Sequence, residues 1–361
     1  LNVLPVVEAY LNHIVTAVPD HDIHSTFIAR APSLLNNDRH RVLLKRMTDR
    51  VQIEHRYSFL KPPGADEEGF DADGFFRRGA FPDTKTRMCF YERHAFTLAK
   101  RALDQLDLAA QKDTITHLIV TTCTGFYAPG LDLQVIEHYG LSPAVERTMI
   151  GFMGCYAALN ALKLARHIVR SQPAAKVVIL NLELCTLHLQ ETDDLEQLLS
   201  FLIFADGCAA SIVSAEPRGI ELQSFHAAII PDSADQITWH IGCFGFDMEL
   251  LGRVPATVAK GLSSNLGVIL KGHARDSIRH WAIHPGGRSI LDAVQRGIGI
   301  PGEKLRQSRD ILRRFGNMSS ATVMFVLKEM MAPDTPAGPG CAMAFGPGLT
   351  AETMLFRTMG H

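Results

Sequence analysis

Gly151-Phe152-Met153-Gly154-Cys155-Tyr156-Ala157-Ala158 is the stretch that decides how the rest of the chain is read. Upstream, Thr148-Met149-Ile150 is short, apolar and strand-like. Downstream, Cys155 to Arg170 holds no Gly or Pro and sets apolar residues at 158, 159, 162, 165 and 169. That is helical spacing. The cysteine is therefore expected on a glycine-flanked turn between a strand and a buried helix. Unpaired backbone N–H groups and the helix dipole at such a terminus favour an anion, here a thiolate. Gly151 and Gly154 let the backbone turn tightly and leave room for a substrate to reach sulfur. A buried cysteine that merely starts a helix would look the same locally, so the remaining residues have to decide.

The chain has 361 residues, room for two ordinary domains or one large duplicated one. Hydrophobic residues make up 47%, and the net charge is -2 with acids and bases interspersed. This balance argues against a general nucleic-acid or anionic-membrane surface and allows a local basic patch. Seven cysteines, at 89, 123, 155, 185, 208, 243 and 341, form no CxxC pair, and no cleavable signal sequence is visible. Reduced thiols in a cytoplasmic protein follow. No apolar run reaches the length of a membrane span. The chain opens on Leu1, so a trimmed terminus or a missing leader is expected.

In order, residues 10 to 18 read as a first strand stopped by Pro19-Asp20, and 34 to 50 as a helix. On that helix Arg46 and Arg50 lie one turn apart on one face. A solvated charged face and a docking point for a phosphate-bearing ligand are both open readings. Residues 61 to 84 read as a polar loop, and 87 to 106 as a helix with Tyr91, Ala95, Leu98 and Ala102 inward. Strands are expected at 117–122 and 177–182, and helices at 131–139 and 192–202. Phe204 precedes Ala205-Asp206-Gly207, read as a tight turn opening a strand from Cys208 to Val213. This alternation predicts a mixed sheet flanked by helices. Pro217-Arg218-Gly219 marks a boundary between residues 1–216 and 217–361. The second part repeats the programme: strand 220–229, a region with Trp239, helix 254–272, strand 280–283, helix 288–296, helix 318–332 and closing strands at 341–345 and 353–356.

Two further motifs join the cysteine. Trp281-Ala282-Ile283-His284-Pro285-Gly286-Gly287 sets a histidine at the end of an apolar strand, where loops carry chemistry. Phe315-Gly316-Asn317-Met318-Ser319-Ser320-Ala321 sets an asparagine before a helix, the usual place for a cap. Each is unremarkable alone. Together, a thiolate, a neutral imidazole and a carboxamide are the parts for thioester chemistry. The cysteine holds an acyl group, and the histidine and asparagine N–H groups hold the enolate oxygen left when a malonyl group loses carbon dioxide. No Walker loop, dinucleotide fingerprint or His-rich metal set competes with this reading.

GFMGCYAALNAL, WAIHPGGRSIL, GNMSSATVMFVL and the near-terminal AFGPGLTAE resemble type III polyketide synthases, the chalcone synthase-like family, from about residue 10 to the C-terminus. The resemblance implies an α/β, five-layered αβαβα thiolase fold of two similar halves and a homodimer. It also implies iterative condensation of malonyl-CoA onto an acyl-CoA starter, with no metal or redox cofactor and no carrier protein, and cyclisation to a pyrone, resorcinol or phloroglucinol-type product. By position Cys155 resembles the nucleophile, His284 and Asn317 its partners, and Phe204 the gatekeeper phenylalanine. Arg46 and Arg50 fall where the family binds the CoA phosphates; a third such position holds Leu43, with Lys45 as its substitute. Gly286, Gly287 and Ser289 fall where the pantetheine arm passes.

Several positions depart from the plant pattern. Met248 occupies the second gatekeeper position, and Trp239 a glycine position on the cavity wall. Cys123, Cys185 and His188 replace threonines, and Ala128 a methionine that reaches into the neighbouring subunit. A tryptophan fills volume that the small residues release. This implies a redistributed cavity with a side tunnel for an aliphatic chain, unless Trp239 and Met248 only pack the core. The rival readings are a ketoacyl synthase III-like enzyme with a single condensation, and a non-catalytic acyl-CoA-binding member of the fold.

Overall fold

In the computed structural model, which describes residues 7–64, 67 and 69–360, the chain begins with β1 (Tyr10–Ala17), the short strand β2 (His21–Asp22), α1 (His24–Arg30), α2 (Asp38–Val51) and the short strand β3 (Tyr57–Ser58). Helices α3 (Thr84–Gln105) and α4 (Leu108–Gln111) lead to β4 (His117–Thr122), α5 (Leu131–Tyr139), β5 (Glu146–Gly151), α6 (Ala157–Ser171) and β6 (Val177–Leu184). After α7 (Leu195–Phe201) come β7 (Asp206–Ser214), β8 (Ile220–Ile229) and a hairpin of β9 (Ile237–Gly242) and β10 (Gly245–Leu250). The chain closes through α8 (Val254–Ile269), β11 (His280–Ile283), α9 (Arg288–Ile298), α10 (Arg306–Phe315), α11 (Thr322–Glu329), β12 (Gly338–Gly346) and β13 (Thr350–Thr358).

Among the described residues, nine strands share one sheet in the order β11-β12-β13-β8-β1-β7-β6-β4-β5. Its directions repeat. β4 and β6 run parallel, then β6–β7 and β7–β1 antiparallel. Likewise β11 and β12 run parallel, then β12–β13 and β13–β8 antiparallel. The second half retraces the first, with β8, β11, β12 and β13 standing for β1, β4, β6 and β7. Two register pairs, Tyr10↔Glu221 and Leu11↔Ile220, join the halves through β1 and β8. The additional strand of the first half is β5, which delivers the chain to Cys155.

Helices fill three layers. α3 and α5 pack Leu98, Leu103 and Val135 against β4 and β6 on one outer side. α8 and α9 pack Val258, Leu262 and Leu291 against Trp281 and Met343 on the other. α6 and α11 lie between, their Leu159, Leu162, Met324 and Val326 in one cluster with residues of β1, β7, β8 and β12. Every residue of α11 from Thr322 to Leu327 is buried, as a helix covered on both sides must be. This is the five-layered αβαβα thiolase-like arrangement.

Some local expectations change. The 61–84 loop, of which residues 65, 66 and 68 lie outside the described residues, buries Phe70, Phe76 and Phe81. Asp71 is buried with them because its carboxylate accepts the N–H groups of Phe75 and Phe76 at 2.8 and 2.7 Å. The expected turn at Ala205-Asp206-Gly207 is the start of β7 instead. A Cβ on Gly207 would lie 2.3 Å from Met318 Sδ, so this glycine admits the loop before α11 rather than a turn. The helix expected over 318–332 splits into a 3-10 turn, Ser319–Ala321, and α11.

Candidate active site

The Cys155 turn is built by contacts distant in sequence. Gly154–Tyr156 is a single 3-10 turn feeding α6, so the helix proper starts two residues after the cysteine. Phe152 and Gly154 have φ of 55° and 65°. A Cβ on Gly154 would lie 2.4 Å from Pro347 Cδ, so backbone and packing both demand glycine there. A Cβ on Gly346 would come within 2.8 Å of the Tyr156 ring. The near-terminal Phe345-Gly346-Pro347 segment thus packs onto the cysteine turn from β12.

His284 immediately follows β11, and its N–H donates to Met343 O on β12 at 2.8 Å, extending the strand pairing by one residue. Asn317 is clipped to the first half by a parallel bridge with Phe204. Its N–H donates to Ile203 O at 2.7 Å, and its carbonyl accepts from Ala205 N–H at 2.9 Å. The carboxamide is oriented by its oxygen, which accepts from Ser319 N–H at 2.9 Å and Thr322 Oγ1 at 3.4 Å. Its Nδ2 donates a long bond, 3.3 Å, to Gly286 O. The cap role read from sequence and an N–H available for chemistry therefore coexist on one side chain. Ser319, with φ of 46°, holds a left-handed conformation within this clip.

Cys155, His284 and Asn317 line one cavity, together with Phe204, Met248, Trp239, Cys123 and Gly286. It encloses about 620 Å³ of space, part of it open to solvent. Trp239 and Met248 face each other across the β9–β10 hairpin as a register pair, which puts both on the same side of it. Trp239 Nε1 donates to Cys123 O at 2.8 Å and so braces one wall.

The electrostatics favour neutral forms. Burial pushes the Cys155 thiol up to about 11; hydrogen bonds from Ser319 and Asn317 pull it down, and the charge of Glu183 adds to the rise. The residue keeps part of its surface on the cavity although the sulfur lies deep in the protein. Burial pushes the His284 imidazole down to about 3. Both its ring nitrogens lack hydrogen-bond partners among the described residues. The thiolate expected at the helix start is thus not the form these surroundings favour by themselves, because desolvation outweighs the dipole of a short 3-10 turn.

The other candidate residues lie elsewhere. His188 is buried behind the wall: Nε2 donates to Thr124 O at 2.7 Å, Nδ1 accepts from Phe246 N–H at 3.0 Å, and the ring stacks on Phe246 at 4.2 Å. It is a satisfied core histidine that backs Trp239 at 5.4 Å. Cys185 lines a different cavity, across Phe204. Ala128 is exposed. Arg46, Arg50 and Lys45 are exposed on α2, and Leu43 is half-buried. Arg288 Nη1 donates to Arg50 O at 3.1 Å, tying the end of α2 to the start of α9 beside Gly287 and the exposed Ser289.

Sequence reasoning passed over Ser319 and Glu183. The Glu183 carboxylate, fully buried, accepts from Cys123 N–H at 2.9 Å, Thr124 Oγ1 at 2.8 Å and Ser320 Oγ at 2.6 Å. Burial raises its pKa against those bonds. Its signal was present: a lone acid in the run Val177–Leu184, apolar apart from Asn181, is the buried charged group that calls for a reason. Among the described residues, no group of three His, Cys, Asp or Glu side chains is placed to hold a metal ion, and no helix is long and apolar enough to cross a membrane.

Models of the chalcone and stilbene synthases match the chain in two parts, the N-terminal domain over residues 15–217 and the C-terminal domain over residues 221–360. The alpha-pyrone synthesis polyketide synthase-like Pks18 of Mycobacterium tuberculosis is 34% identical over 370 residues, covering 98% of this chain and 92% of that protein. The crystal structure of PKS-I from the brown alga Ectocarpus siliculosus superposes with a TM-score of 0.87 at 27% identity, covering 99% of this chain and 100% of that one. The C-terminal type III polyketide synthase domain of Steely1, a type I/III hybrid from Dictyostelium, shares the fold with a TM-score of 0.88 at 24% identity, covering 97% and 99%.

Proposed function

Because this chain belongs to the chalcone and stilbene synthase family and is a type III polyketide synthase, we propose that Cys155 carries the acyl group and that His284 and Asn317 hold the malonyl thioester as it decarboxylates. The observation that carries this reading is the buried imidazole with both nitrogens unpartnered, on the same cavity as the cysteine and the Asn317 amide. Buried donors and acceptors are left unpaired where a ligand completes them.

The family's acyl-CoA starter approaches past Arg46 and Arg50, with the start of α9 beside them. As the thiol attacks the starter carbonyl, its proton passes to His284. Each charge alone is disfavoured by burial, and the pair stabilises itself. Coenzyme A leaves with that proton, and the imidazole is neutral again. A malonyl-CoA then sets its thioester oxygen against His284 N–H and Asn317 Nδ2–H. Loss of carbon dioxide puts negative charge on that oxygen, where two positioned donors stabilise it. The enolate carbon attacks the carbonyl of the acyl-enzyme, the bond to sulfur breaks, Cys155 leaves as a thiolate, and the lengthened chain stays on coenzyme A. Transfer of the chain back to Cys155 allows another round. The relative named for alpha-pyrone synthesis supports a pyrone among the possible ring closures.

The enzyme works as a homodimer. β5 is an open edge of the sheet, and Met149, Met153 and Phe126 are exposed along it. An unpaired edge with apolar side chains is a template for a second copy. All seven cysteines are free thiols, which supports a reducing, cytoplasmic setting. The test is product mass from malonyl-CoA with a panel of acyl-CoA starters and no carrier protein. Products of two or more extensions support the reading, and a single extension supports a ketoacyl synthase III-like enzyme.

A further inference from the structure

Across Phe204 from the catalytic cavity lies a second chamber of about 440 Å³, lined by Phe27, Leu60, Phe70, Phe201, Cys185 and Arg56 among others. Phe204 lines both spaces and so lies between them. Cys185, on the far side, lies within electrostatic reach of Cys123 and Cys155. The other walls are apolar or aromatic apart from Thr186, whose hydroxyl is already hydrogen-bonded to Asp206 and Ser58, and one lining side chain is charged.

That charged side chain is incompletely satisfied. Arg56 is 1% exposed. Its Nε donates to His24 Nδ1 at 2.9 Å, and Nη1 donates to the carbonyls of Phe201 and Phe204 at 2.7 and 2.8 Å. Nη2 has no acceptor among the described residues. Phe27 packs against the guanidinium, its ring centre 4.8 Å from Cζ. Among the described residues, no carboxylate is hydrogen-bonded to the guanidinium. Asp22 and Asp206 act on it only through space, because their oxygens are taken by His24 N–H, Arg56 N–H and His55 in one case and by Thr186 in the other. A buried guanidinium nitrogen without an acceptor is costly. In a mostly apolar chamber it is the kind of polar group that fixes which ligand is taken.

We propose that the chamber behind Phe204 receives the far end of the acyl group, and that it selects acyl groups bearing an oxygen acceptor at that end, bound by Arg56 Nη2. The proposal rests on the reading that Cys155 carries the acyl group. A chain anchored on Cys155 and passing Phe204 lays its body against the phenylalanines and Leu60. Its terminal carbonyl or carboxylate oxygen then meets the unpaired donor. A plain alkyl end of equal length leaves that donor unpaired, and polar sites discriminate strongly against such analogues.

The test uses the wild-type enzyme with starters of matched length, a plain alkanoyl-CoA against its ω-keto and ω-carboxy counterparts, over a series of lengths. One hydrogen bond to a charged group predicts kcat/KM at least about tenfold higher for an oxygen-bearing member at some length. The keto and carboxy arms tell which acceptor is preferred. Leu60→Trp, which fills the chamber, and Arg56→Lys, which removes the fork, bring the ratio to about one. Because the wild-type comparison stands without either variant, a folding failure leaves the test intact. Equal kcat/KM at every length, or a preference for the alkyl member, overturns the proposal. Intact-protein mass from the same reactions separates the two readings. An acyl adduct on Cys155 without tail preference sinks this inference alone, and no adduct from any starter sinks the proposed function.

Discussion

Asn317→Asp and Asn317→Ala separate what the carboxamide does for the fold from what it does for the chemistry. The oxygen of Asn317 accepts the Ser319 N–H at 2.9 Å and holds that residue at a φ of 46°. Aspartate keeps this acceptor and exchanges the amide donor for a second acceptor. Alanine removes both. Leaving the buried Ser319 N–H unpaired costs about 1–3 kcal/mol, and the alanine variant is expected to lose that in denaturant unfolding. The aspartate variant is expected to stay closer to the wild type. Decarboxylation of malonyl-CoA, followed by carbon dioxide release, is expected to fall in both by about 100- to 1,000-fold, the usual loss of one oxyanion donor. Aspartate decarboxylating within about threefold of wild type would refute the assignment of Nδ2 to the enolate, since typical losses of such a donor are far larger.

Other perturbations address separate parts of the account. Iodoacetamide labelling of Cys155 against pH is expected to show its inflection at higher pH in His284→Gln than in the wild type. Burial raises the thiol in both proteins, and the imidazole that accepts its proton remains in one; coincident profiles would remove His284 from that role. Trp239→Gly is expected to shift starter preference and product length, read by product mass, because the indole that braces Cys123 O leaves the cavity wall. Unchanged products would make Trp239 a packing residue. Arg46→Ala with Arg50→Ala is expected to raise KM for acyl-CoA while leaving kcat nearly constant, the pattern of lost uniform binding; a fall in kcat alone would contradict phosphate docking there. Met149→Glu is expected to convert a dimer to monomers in light scattering, and an unaltered mass would move the interface off the β5 edge.

What the sequence made legible were features in which local pattern and chemistry coincide. The turn before Cys155 is written in two glycines and a helical period, and His284 in an apolar strand stopped by proline. The alternation of strands and helices pointed to a mixed sheet flanked by helices, and the five-layered arrangement came only with the family resemblance. What it hid depends on which distant segments meet. His188 reads as a cavity residue, yet its two nitrogens are taken by Thr124 and Phe246, residues separated from it in the chain. Gly207 reads as a turn, yet it is small because Met318 packs over it. The raised thiol of Cys155 is also a tertiary property. A helix start predicts a lowered value, while depth in the protein and the nearby Glu183 raise it. Arg56 carries no local mark at all; only the placement of Phe201, Phe204 and His24 around it leaves one nitrogen unpaired.

The central claim is that Cys155 bears the growing chain. Incubation with an acyl-CoA, quenching, and peptide mass mapping before and after malonyl-CoA is added tests it most directly. The account predicts an acyl mass on the peptide containing Cys155, which then gains successive ketide units and disappears as free polyketide forms. An acyl group on another residue, or polyketide formed at full rate by Cys155→Ala, would contradict it.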